Sequence, residues 1–193
     1  MAATNLSTRR DVVTRVRRQH ETIRGLFDDV EVASPARRAE AFQPLVRLLA
    51  VHETAEEMVV YPALLLAGFD ARAVVQARKV EEDQAKKHLA ELEGLDAGSR
   101  DFLAQLRAFR DEVEAHAEAE EADVLPLLDE HRAAHELRLM DFWFVMAETV
   151  APTHAHRFAP ESATGNLLLG PAVALVDRVR DMLATAPSSR SRS

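Results

Sequence analysis

The chain has 193 residues, a formal charge of −8 and no cysteine. That length suits one well-filled core, and the acidic balance opposes the counterion release that drives nucleic-acid binding, so no nucleic-acid partner is expected. Without thiols there are no disulfides, zinc ribbons or cysteine nucleophiles, and only His and carboxylates remain as metal donors.

Few glycines and few aromatic residues, in a composition rich in Ala, Leu, Val, Glu and Arg, favour helix over sheet. Met1 to Arg10 is polar, with no apolar signal-peptide core, and no apolar run approaches the ~20 residues needed to span a bilayer. A cytoplasmic protein with no membrane partner is expected.

Thr8 and Asp11 are spaced as a capping box, after which Val13, Val16, His20, Ile23, Phe27 and Val30 recur at steps of three and four. This predicts a first helix with His20 in its apolar stripe. Ser34-Pro35 forms an N-cap and first-turn pair for a second helix, whose inner row reads Leu45, Leu49, His52, Glu56, Val59 and Ala63. Pro44 predicts that this helix begins or kinks near it. Gly68-Phe69-Asp70 predicts a stop and a new cap, followed by a third helix to about Leu95 and a turn at Asp96-Ala97-Gly98-Ser99. Phe102, Leu106, Phe109, Val113, His116 and Glu120 share one face of a fourth.

Short links make such helices antiparallel neighbours, so the expected fold is all-α, an up-down four-helix bundle. Leu137 to Val150 predicts a further, strongly apolar helix. Pro152 to Gly165 reads as irregular and Pro171 to Ala186 as amphipathic. The expected organisation is a bundle over 1–130, a helical extension packed on it over 131–186, and a polar disordered tail over 187–193.

The sequence His52-Glu-Thr-Ala-Glu56-Glu-Met-Val-Val-Tyr-Pro62 is echoed by His116-Ala-Glu-Ala-Glu120-Glu-Ala-Asp-Val-Leu-Pro126. The His, one Ala, both Glu, one Val and the Pro coincide, so the bundle reads as two related halves. Residues four apart project from the same helix face about one turn apart, so each HxxxE aims an imidazole and a carboxylate at one point in the core. Two such points on facing helices make a site for two cations, whose charge would repay the cost of burying ionised Glu. A single HxxxE on a solvated face would carry no such meaning; the duplication and the burial phase supply it. No second His completes a zinc-protease HExxH, and no Glu stands three residues before a His as in ferritin-like di-iron proteins.

One His on the first helix, HxxxE with a trailing Tyr-Pro on the second, and HxxxE with a trailing Leu-Pro on the fourth resemble the hemerythrin-like HHE cation-binding domain. The match runs from about Arg9 to Leu128. The remainder, including Ala151-Pro-Thr-His154-Ala-His156 and Gly170-Pro171, is similar to the C-terminal extension of actinobacterial members. The resemblance implies a non-haem di-iron centre, with two Fe per chain and Mn or Zn as alternatives. It implies O2, H2O2 or NO as the small ligand, in oxygen binding, redox sensing, iron handling or defence against oxidants. Catalase-like peroxide decomposition is the enzymatic version; iron storage, or metals that only stabilise the bundle for partner docking, is the contrasting one. Monomer and homodimer are both open.

Carried over residue by residue, the ligand positions fall on His20, His52, Glu56, His116 and Glu120, with the third helix offering either His88 or Glu82. His88 has the residue type the pattern expects, but Glu91, Gly94, Leu95 and Gly98 follow it where His20 is followed by Ile23, Leu26, Phe27 and Val30. Glu82 is followed at those offsets by Ala85, His88, Leu89 and Leu92. A Glu there would make the site harder and favour redox turnover over reversible oxygen carriage. His131 and His135 read as a solvated face, and His154 and His156 as anchors of a loop. Tyr61, nearly opposite His52 on an ideal helix, reads as packing or a hydrogen bond to a ligand. Met140, Phe142, Trp143, Phe144 and Met146 read as core or a dimer surface.

Overall fold

A computed structural model of the chain describes residues 10–66 and 71–150. Seven α-helices follow one another: α1 (Val12–Val32), α2 (Pro35–Ala55), α3 (Tyr61–Leu66), α4 (Arg72–Glu93), α5 (Arg100–Ala119), α6 (Leu125–His131) and α7 (Ala134–Val150). No strand occurs among the described residues. Wide π-helical turns, Glu56–Val60 and Glu120–Val124, join α2 to α3 and α5 to α6. The bundle is therefore α1, the α2–α3 rod, α4 and the α5–α6 rod, with α7 laid against it.

Helix starts follow local chemistry. Asp11 caps α1 by accepting a 3.0 Å hydrogen bond from the Thr14 backbone N–H, while Thr8 lies outside the described residues. Ser99 caps α5 in the same way, accepting from the Phe102 N–H. Ser34 precedes Pro35 at the first turn of α2 but makes no side-chain cap; its extended backbone and the preset φ of Pro35 start the helix. Pro44 does not interrupt α2, which runs through it. Pro44 and Glu40, whose carbonyl it leaves without a donor, are both exposed, so water can take that carbonyl. The Gly68-Phe69-Asp70 stop falls outside the described residues, as does everything expected beyond Val150.

Apolar residues form two clusters. The upper one packs Ile23, Phe27 and Val30 of α1 with Phe42, Leu45 and Leu49 of α2, Leu89 and Leu92 of α4, and Phe102, Leu106 and Phe109 of α5. The Phe42 and Phe102 rings meet edge to face at 5.1 Å. Arg38 ties the two loops at that end, donating to the carbonyls of Ala97 and Ala33. The lower cluster joins Val12, Val13 and Val16 to Val59, Val60 and Leu64, to Val124, Leu125 and Leu128, and to Leu137, Met140, Phe144 and Ala147 of α7. Met140 and Phe144 are thus core, whereas Phe142 and Met146 are exposed. Between the two clusters lies a polar layer.

Candidate metal centre

That layer is made by the interruption of each apolar stripe. On α1, His20 stands between Val16 below and Ile23 above; on the α2 rod, His52 and Glu56 stand between Leu49 and Val59; on α4, Glu82 lies between Val75 and Leu89. His116 and Glu120 end the apolar row of α5. His20, His52, Glu56, Glu82 and Glu120 are all buried, and His116 is nearly so. They form two overlapping groups, His20–His52–Glu56–Glu120 and Glu56–Glu82–His116–Glu120, whose donor atoms all lie within 4.8 Å of one another. Glu56 and Glu120 belong to both.

Each imidazole is aimed by a partner outside the cluster. His20 Nδ1 lies 2.9 Å from Glu121, His52 Nδ1 2.8 Å from the Gln19 side-chain oxygen, and His116 Nδ1 2.8 Å from Glu81. An Nδ1–H donated outward leaves Nε2 as a lone-pair donor facing in, the arrangement that orients metal-ligating His. The partners are themselves anchored: Glu121 by Arg17 at 3.0 Å, Glu81 by Arg78 at 2.6 Å, and Gln19 through its amide to Glu148 of α7.

The inward atoms meet no such partner. His20 Nε2, His116 Nε2, both oxygens of Glu56, and one oxygen each of Glu82 and Glu120 are buried without a hydrogen bond. Orphaned buried polar atoms cost about 1–3 kcal/mol each, more when charged, so several converging on one point call for a missing partner. Imidazole nitrogens and carboxylate oxygens are the donors that iron, manganese and zinc accept, and two carboxylates common to both groups can bridge two ions. The residues fit a metal centre.

Electrostatics in the layer are divided. Burial, with the charges of Glu120 and Glu82, pushes Glu56 well above the usual carboxylate range. Burial likewise pushes Glu82 up to about 9, although the bond from Tyr61 favours its anion. Glu120 is penalised by burial too, but the bond with His20 at 3.4 Å and the ring of His116 outweigh this and bring it down to about 2. Burial and the neighbouring His20 ring hold His52 down to about 3, so it is neutral, the form a metal needs.

The π-turns explain why Tyr61 joins the site. Pro62 and Pro126 have no N–H to return to the carbonyl four residues back, and the ring crowds that carbonyl. The chain widens instead: the N–H groups of Tyr61 and Leu125 reach back five residues, to Glu56 and Glu120. On a regular helix Tyr61 would lie about 180° from His52; one extra residue in the turn brings it to about 80°. Its hydroxyl donates toward Glu82 and contacts Glu120 at 2.9 Å. Tyr61 is therefore a hydrogen-bonding neighbour of two of the gathered carboxylates.

His88 is not among the gathered groups. It lies six residues beyond Glu82, about 240° around α4, and faces α5 instead. Its nitrogens lie 3.2 Å from Glu112 and 3.1 Å from Gln105, and its ring packs on Phe109. On the third helix it is Glu82, not His88, that the structure brings beside the other candidate residues. His131 and His135 are exposed, and His154 and His156 fall outside the described residues. Sequence reasoning passed over Glu121, Glu81 and Gln19 as partners of the histidines; the second Glu of HxxxEE was the visible signal for Glu121.

A narrow, mostly apolar pocket reaches His20, His52, Glu82 and His116 from the upper side, walled by Ile23, Leu49, Ala85 and Val113. It admits a molecule of a few atoms.

Fold and site together define a class: a helical bundle holding a buried His and carboxylate centre for cations. The family model for the hemerythrin HHE cation binding domain matches residues 11–128, and the chain belongs to that family. An uncharacterized hemerythrin-like protein of Schizosaccharomyces pombe is 25% identical over 172 residues, which are 88% of this chain and 85% of the relative. A crystal structure of a hemerythrin HHE cation binding domain-containing protein from Mycobacterium kansasii superposes with a TM-score of 0.63 at 20% identity. It covers 88% of this chain and 99% of that one, and shows the shared fold. No described helix is long and apolar enough to cross a membrane.

Proposed function

We propose that this chain is a non-haem iron protein with a two-metal centre that reacts with a small oxidant, O2, H2O2 or NO, in the cytoplasm. The observation that carries the reading is the set of orphaned inward atoms on His20, His116, Glu56, Glu82 and Glu120, gathered around two points that share two carboxylates. Iron held there would supply electrons to the oxidant and Lewis acidity to its oxygen atoms.

The chain's own groups do the rest. Glu121, Gln19 and Glu81 lie within hydrogen-bond distance of the Nδ1 atoms of His20, His52 and His116, a placement that favours the tautomer with Nε2 open to a metal. Glu82 keeps one oxygen on Tyr61, and its other, which makes no hydrogen bond, lies 3.9 Å from Lys86 Nζ. Four protein donors per position leave room for a small ligand on an ion that prefers six. The narrow pocket beside Ile23, Leu49, Ala85 and Val113, with Arg24, Glu53 and Glu114 also lining it, has room for a diatomic molecule or peroxide. Three carboxylates in the cluster favour higher oxidation states, and hence turnover over reversible carriage; peroxide decomposition is the activity that follows.

Iron loaded anaerobically and counted after desalting should reach about two per chain, and the loaded protein should evolve oxygen from peroxide much faster than the same concentration of free iron. A protein that retains no iron overturns the centre. Full iron with a rate no better than free iron overturns the peroxide activity.

A further inference from the structure

Glu53 and Glu57 are not among the gathered donors. Each follows one member of the His52–Glu56 pair by a single residue, so the two lie about 100° further round the α2–α3 rod. Lys86 of α4 reaches across to them. Its Nζ lies 2.9 Å from Glu57, 3.6 Å from Glu53 and 3.9 Å from the oxygen of Glu82 that makes no hydrogen bond. The three carboxylates differ in depth: the side chain of Glu57 is 37% exposed, that of Glu53 12% and that of Glu82 1%. They form a file of oxygens from solvent to the buried layer, with one ammonium at its focus. Building on the metal-centre reading above, we infer that this file is the doorway by which divalent cations reach the centre, and that Lys86 is its gate, holding the cation position until a metal ion displaces it.

An ordinary surface ion pair joins two exposed groups and contributes little. Here one ammonium serves three carboxylates, and the deepest has a buried oxygen with no hydrogen-bond partner. Taking the ammonium away would leave that oxygen and its neighbours unbalanced, so the spot requires a cation of some kind. A divalent ion meets the need, and oxygen ligands along a path can replace its waters one after another. Lys86 can yield, because its ammonium sits on a flexible four-carbon stem and its side chain is 41% exposed. The exposed Lys79 also acts on Glu57, so the approach sets three carboxylates against two ammonium groups. The pocket beside Ile23, Leu49, Ala85 and Val113 is mostly apolar and carries Arg24, which repels a dication. Metal and small ligand thus have separate ways in, with Glu53 bordering both.

Co(II), whose visible absorption changes when protein donors replace water, serves as the probe; it is followed into the metal-free protein and out again to an external chelator. Glu57→Gln should slow both filling and release by roughly ten-fold, the lower end of what a charged cleft contributes to an on-rate. Lys86→Met should speed both by a similar factor. The number of ions held at saturation should match the wild type in both variants. A doorway moves the two rates in the same direction, whereas a charge acting only through its field moves them in opposite directions. Glu112→Gln, on α5 beside His88, controls for net charge and should leave both rates unchanged. Rates that shift in opposite directions or not at all, or an equal effect of Glu112→Gln, overturn the inference and leave the metal centre standing. A lower ion count at saturation also overturns it, by making Glu57 or Lys86 part of the centre. Wild-type protein that takes up no Co(II) overturns the metal-centre reading, and the doorway with it.

Discussion

Glu56 and Glu120 meet across the bundle with opposite protonation preferences: burial and its acidic neighbours drive Glu56 toward the neutral acid, while the bond with His20 and the ring of His116 hold Glu120 as the anion despite its burial. The duplicated HxxxE motif thus yields two carboxylates with different duties before any metal arrives. Glu120 neutralises the layer and Glu56 carries a proton that a metal must displace.

Substitution separates these duties. In the metal-free protein, Glu56→Gln replaces a neutral acid by a neutral amide and should change unfolding free energy little. Glu120→Gln removes the one charge facing three rings and should cost about 1–3 kcal/mol. Urea denaturation of the two metal-free variants checks this, and equal losses would contradict the assignment.

The metal-free protein should also lose stability as pH rises from about 6.5 to 9. A carboxyl whose pKa is raised by folding, as for Glu82 at about 9, contributes fully below its unfolded value; that contribution is lost as pH climbs to the folded one. His52, lowered to about 3, behaves in the reverse sense: its contribution is full above about 6.5 and disappears as pH falls. The two oppose each other in the mildly acid range, and above it only the carboxylates act. Thermal midpoints across this window should fall for the metal-free protein and fall less for the loaded one. A flat metal-free profile would count against a proton on Glu82.

The third helix gives a clean contrast among histidines. His116→Ala should lower the bound metal by about one ion per chain, while His88→Ala and His131→Ala should leave it unchanged. Elemental analysis after identical loading decides this; loss of metal on removing His88 would restore the alternative ligand.

Tyr61→Phe deletes a hydroxyl that serves Glu82 and Glu120. As a hydrogen-bonding neighbour, Tyr61 should be dispensable for metal count but worth about 1–3 kcal/mol to the metal-free fold, since a buried oxygen of Glu82 is left unserved. A variant that drops a metal would instead make the phenol a ligand.

Periodicity made much of this legible. The rows holding His20, His52 with Glu56, and His116 with Glu120 were each visible as apolar stripes broken by a polar residue, because a helix core face repeats regularly. The apolar offsets after Glu82, matched to those after His20 and missing after His88, also carried the register that the fold adopts. Two things lay beyond that logic. Tyr61 depends on a π-turn, which breaks the regular hundred-degree step that every such comparison assumes. The partners Gln19, Glu81 and Glu121 reach across to other helices, at separations of 33, 35 and 101 residues, where no local pattern links them. The amphipathic stretch expected over Pro171 to Ala186 lies outside the described residues.

Gln19 offers its oxygen to His52 and its amide to Glu148, and so cannot flip without losing both. A side chain that is ordinarily ambidextrous has been given a polarity, pointing from an outer helix to an inner ring. Because α7 lies beyond the segment that the family model matches, the orientation of His52 is tied to a helix outside that segment. A contact at the periphery of the bundle thereby sets the angle of a ring at its centre.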